Sequence, residues 1–196
     1  MIADVTLRWV VTVLFALGAA ECVLAIASTH RRPVPLIGRL LHLVMAVAMA
    51  VMAWPRGAEL PTAAPMVFFA AAAAWFAGVT LTTARSGRLV EGYHTLMMAA
   101  MAWMYAVMNG AVLPGQAAHG TEHTMSGMGH AAGYPMWITA VNWWWTVVFA
   151  VAAPWWLWRY FASRRAGTAA LSVPHLGALC QALMAAGMAI MFGVML

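Results

Sequence analysis

Residues 42–52 read His42-Leu-Val-Met45-Ala-Val-Ala-Met49-Ala-Val-Met52. The segment is without charge, and its methionines follow the histidine at offsets of 3, 7 and 10. At about 100° per residue those offsets fall on one narrow face of a helix. The spacing returns twice. Residues 94–108 run His94, Met97, Met101, Met104, Met108, and residues 181–195 run Gln181, Met184, Met188, Met191, Met195. Each copy sits in an apolar run of about 20 residues, the length that crosses a bilayer as a helix.

Each such run follows another apolar run that lacks the pattern. Together they predict six spans, at 6–28, 36–54, 62–83, 89–113, 136–161 and 174–196. Pro33, Pro35, Pro55, Pro61, Pro114-Gly115 and Pro174 punctuate the gaps. The expected fold is all-α: a polytopic membrane helical bundle of six transmembrane helices, built as three repeated helix hairpins. Residues 1–196 form one six-span membrane domain, with 114–135 as an extracytoplasmic Met/His-rich loop. Composition agrees: 65% of the chain is hydrophobic and 8% charged, where a soluble domain carries about a quarter charged residues. Ala25-Ile26-Ala27 resembles a signal cleavage site, but Asp4 and Glu21 mark the first run as a retained span.

The arginines orient the bundle. Arg31, Arg32 and Arg39 follow span one, Arg85 and Arg88 follow span three, and Arg159, Arg164 and Arg165 follow span five. The other side has Arg8 and Arg56. The positive-inside rule therefore puts these three loops in the cytoplasm, and both termini outside a plasma (inner) membrane. Trp137, Trp143, Trp144 and Trp145 near one end of span five, and Trp155, Trp156 and Trp158 near the other, read as aromatic belts. The basic charge is split among short loops, so no nucleic-acid partner is expected. Cys22 and Cys180 fall inside apolar runs and are not a disulfide framework.

All ten basic residues are arginine and alanine is abundant, which suggests a GC-rich, bacterial genome. Seventeen methionines are then not compositional drift, because the methionine codon leans the other way. Thioether sulfur is a soft ligand that selects Cu(I). The residues expected to hold metal are His42, Met45, Met49, His94, Met97, Met101, Met184 and Met188, with layers Met45/Met97/Met184, Met49/Met101/Met188 and Met52/Met104/Met191. Glu21, the one acid well inside a span, is costly there and reads as functional, paired with His42. The outer loop adds His119, His123, Met125, Met128 and His130 in a glycine-bearing segment. The same offsets also describe the seam of a left-handed helix pair, where methionine is a gap filler.

The segments Met45-x-x-x-Met49, Met97-x-x-x-Met101 and Met184-x-x-x-Met188 resemble the Ctr-type copper channels, in which three subunits each donate an M-x-x-x-M span. The resemblance is one of site; the connectivity differs. Glu21, His42-x-x-Met45 and Tyr93-His94-x-x-Met97-Met98 resemble an uncharacterised family of actinobacterial six-span membrane proteins, which implies fold and location and no activity.

The expected function is copper binding or transport, with the lipid bilayer and a metal ion as partners, alone or in a homo-oligomer or larger membrane complex. Two other readings stand beside it: a ligand-free assembly subunit, and a haem b electron-transfer protein using His42 and His94. No nucleophile–base pair, phosphate loop or zinc-peptidase motif occurs, and Asp4, Glu21, Glu59, Glu91 and Glu122 are too scattered for a carboxylate dyad, so the chain is not read as an enzyme.

Overall fold

The computed structural model describes residues 4–28, 33–55, 57, 60–82, 88–116, 135–165 and 173–196. It contains six helices: α1 (Val5–Ser28), α2 (Pro33–Met52), α3 (Ala63–Thr82), α4 (Arg88–Asn109), α5 (Met136–Arg165) and α6 (Val173–Val194). Four of them, α1, α3, α5 and α6, are long and apolar enough to cross a membrane, and a shorter apolar stretch, Ile37–Met52, lies in α2. They mark the chain as a membrane protein. About a fifth of the apolar stretch of α1, α3 and α5 is buried inside the protein, against half of that of α6. Most of the large exposed side chains on these helices are valine, leucine, phenylalanine and tryptophan, as lipid contact requires.

Local chemistry sets the helix ends. Asp4 Oδ1 accepts a hydrogen bond from the Thr6 amide at 2.8 Å and caps α1. Pro33 opens α2 rather than preceding it, because a first-turn proline forfeits an amide that has no helical partner anyway. α4 stops at Asn109, short of the expected 113: Gly110 takes φ +71°, the left-handed residue that ends a helix. Gln116 Nε2 then donates to the Val107 carbonyl at 3.1 Å, satisfying one of the last acceptors of α4. α5 continues beyond 161 to Arg165, through Pro154.

The chain forms two compact units. Residues 1–59 and 140–196 make the first, and 60–139 the second. In the first, α1 packs against α2 and α6. Trp9 meets Trp54 edge-on at 5.4 Å, and Trp54 Nε1 donates to Thr12 Oγ1 at 3.2 Å, so the start of α1 lies beside the end of α2. Phe15 covers Gly187, while Gly18 lies beside Met184 and Cys180, so α1 and α6 also run antiparallel. α2 and α6 therefore run in the same direction. Trp145, Phe149 and Phe192 stack at 5.9–6.1 Å and join α5 to α6.

The second unit is built on α3 against α4. Asn109 Nδ2 donates to Thr62 Oγ1 at 2.8 Å, Phe69 stacks on Tyr105 at 5.8 Å, Phe76 meets His94 at 5.3 Å, and Thr80 Oγ1 lies 3.5 Å from Thr95 Oγ1. These contacts run from one end of the pair to the other and fix it as an antiparallel hairpin.

Candidate functional site

The methionines are sorted by helix face. On α2, Met45, Met49 and Met52 are buried together with His42, while Leu40, Val44, Val47 and Val51 are exposed. Both faces are apolar, so burial of apolar surface alone does not explain which carries the sulfur. On α6, Met184, Met188 and Met191 are buried, as are Met97, Met98, Met101 and Met104 on α4. Met195 and Met108, which end the longer ladders, are half-buried.

Within the first unit, two ladders are in register. His42 and Gln181, the polar residues that begin them, meet at 3.4 Å between His42 Nε2 and Gln181 Nε2. Since α2 and α6 run in the same direction, the equal offsets put Met45 level with Met184, Met49 with Met188 and Met52 with Met191. His42 Nδ1 lies 2.9 Å from the Gly38 carbonyl one turn back. A ring N–H given to a backbone carbonyl fixes the tautomer and presents Nε2 as the lone-pair nitrogen, the usual arrangement of a metal-ligating histidine.

The foot of these ladders is polar on three helices. Glu21 on α1 lies against Cys180 of α6 and within the field of Arg39 on α2. Cys22 Sγ and Cys180 Sγ are 4.0 Å apart, both free and both buried. Cys180 also reaches the Gly18 carbonyl at 3.7 Å. Met184 Sδ comes within 3.1 Å of the place a β-carbon on Gly18 would take, and Cys180 Sγ within 3.8 Å of the same place. The missing side chain at Gly18 thus makes room for two sulfurs. The sequence reading sets Glu21 with His42; the structure sets it against Cys180, and His42 against Gly38 and Gln181.

His94 lies in the second unit, with Nδ1 3.6 Å from Glu91 Oε2 one turn earlier and its ring against Phe76. Among the described residues no three His, Cys, Asp or Glu side chains are gathered as a metal-ligand set. His119, His123, Met125, Met128 and His130 lie outside the described residues.

The chain belongs to the family described as a domain of unknown function, DUF5134, which matches residues 35–195. It is also 47% identical to uncharacterized proteins of Mycobacterium bovis and Mycobacterium tuberculosis, over all of this chain and 99% of theirs. No solved structure matches. The matched DUF5134 region holds α6, α4 and most of α2, and so all three ladders, whereas Glu21 and Cys22 on α1 precede it.

Sequence reasoning missed the Cys22–Cys180 approach and the His42–Gln181 contact. Both join residues more than 130 positions apart, and no local pattern encodes such a meeting. One signal was available: Gln181 begins the third ladder at the position where the first has His42, and Cys180 stands immediately before it.

Proposed function

We propose that this DUF5134 protein is a six-span plasma-membrane protein that binds Cu(I), or passes it, along methionine-lined helices. Three repeated hairpins with both termini outside would give the even-numbered helices one common direction. The observation that carries the reading is the confinement of methionine to the buried faces of α2 and α6, in register from the His42–Gln181 contact upward. Leucine or alanine would serve a packing seam equally well, whereas thioether sulfur adds affinity for a soft, monovalent ion and rejects hard ones. α4 carries the same ladder in the second unit. The likeness to Ctr-type channels is one of ligand chemistry, a column of M-x-x-x-M thioethers. In this reading the outer loop from His119 to His130 collects the ion, and His42 with its Nδ1 anchored marks the cytoplasmic end.

The test is metal content and colour of the purified protein. Bound copper supports the reading. A Soret band would replace it with haem ligation by His42 and His94, and a colourless, copper-free protein that fails to take up Cu(I) would leave a ligand-free assembly subunit.

A further inference from the structure

We propose that Cys22 and Cys180 form a thiolate site for Cu(I) at the foot of the α6 ladder, completed by the Met184 thioether. The inference rests on the copper reading above and adds to it a site on α1 and α6 that the methionine pattern does not contain.

Two of the sulfurs stand at the spacing of a three-sulfur site, and the third is close by. The two thiol sulfurs are 4.0 Å apart. Three ligands about 2.3 Å from a metal, spread evenly around it in a plane, stand about 4.0 Å from one another. The third sulfur is at hand, because Met184 Sδ and Cys180 Sγ both lie within 4 Å of the vacant β-carbon position of Gly18. Zinc asks for four nitrogen, sulfur or oxygen ligands in a tetrahedron, and the described residues gather no such set. Cu(I) is satisfied by three sulfurs and prefers them.

The charges balance without any redox step. When Cu(I) enters, two S–H bonds break and two Cu–S bonds form. Both protons leave to solvent. The resulting dithiolate–Cu(I) centre carries one negative charge, and the Arg39 guanidinium, whose field reaches both Glu21 and Cys22, offsets it. A charge in the bilayer interior is otherwise costly. Both cysteines are buried, and their sulfurs face each other at 4.0 Å.

The experiment uses the full-length protein in detergent, reduced and without oxygen, with Cu(I) supplied from a competing chelator. The readouts are the ultraviolet thiolate-to-Cu(I) charge-transfer band and the X-ray absorption shell around copper. An all-sulfur shell with the band is expected. Replacing both thiols, Cys22→Ser with Cys180→Ser, removes the band and weakens binding by more than the roughly 10–100-fold that loss of a supporting residue costs. Gly18→Ala keeps both thiols, crowds Met184 and weakens binding while the band remains. Met66→Leu, outside the pattern, leaves the band untouched. Copper bound without the band in the unaltered protein, or with unchanged affinity in the double serine variant, overturns the thiolate site and leaves the ladder reading standing. No Cu(I) binding by the unaltered protein overturns both. Should the serine variants fail to fold, the band in the unaltered protein decides alone.

Discussion

The ring of Phe15 occupies the space above Gly187: a β-carbon on Gly187 would come within 2.5 Å of Phe15 Cζ. Both residues are buried, so the ring has no room to swing aside. Gly187→Ala should therefore push α1 and α6 apart and destabilise the first unit by about 1–3 kcal/mol, the usual cost of overpacking. Gly177→Ala, on the same helix with nothing within 4 Å of the added carbon, is the control. Thermal unfolding in detergent measures both, and equal melting temperatures would contradict the close α1–α6 approach.

The methionine ladders separate packing from ligation. Met49, Met101 and Met188 are fully buried, and leucine at all three keeps volume and apolarity, a swap that usually costs under about 1.5 kcal/mol each. The triple variant should fold and insert, yet bind less copper or lose copper-dependent growth, since leucine offers no lone pair. Met66→Leu, outside the pattern, should change nothing. A folded triple variant with unaltered copper handling would leave the methionines as packing.

The arginine distribution predicts the topology. A reporter active only in the cytoplasm should work when fused after Arg165 and fail when fused after Leu196. Among the described residues, the Arg159 guanidinium lies 5.5 Å over the rings of both Trp155 and Trp156, a basic–aromatic cluster suited to the headgroup level on that side. The opposite reporter pattern would reverse the orientation.

The segment from His119 to His130 predicts a binding preference of its own. A peptide of that sequence should take Cu(I) or Cu(II) and ignore magnesium and calcium, because imidazole and thioether are borderline and soft ligands. Calorimetry with each ion checks this. A peptide without copper preference is only a connector.

How much of this was written in the sequence differs from feature to feature. The helices are local: apolar runs about a bilayer thick, broken at proline and glycine, place all six elements to within a few residues. The buried face of α2 is local too, because the offsets from His42 to Met52 select one side of a helix without reference to any neighbour. Two ends were misjudged for local reasons that run the other way. Gly110 stops α4 by adopting a left-handed conformation although apolar residues follow, and Pro33 begins a helix although proline usually signals a gap.

The partners of those faces belong to the tertiary structure. Glu21 reads as a partner for His42 from depth alone, yet depth does not fix the angle about the bundle, and α6 brings Cys180 to it instead. Cys22 and Cys180 each look like ordinary apolar-span residues; only the antiparallel packing of α1 on α6, permitted by Gly18 and Gly187, puts their sulfurs 4.0 Å apart. The sequence by itself determined which side of α2, α4 and α6 turns inward, because methionine periodicity acts within one helix. Only the tertiary structure decided which inward sides meet, because that depends on close approach of backbones at small residues far apart in the chain.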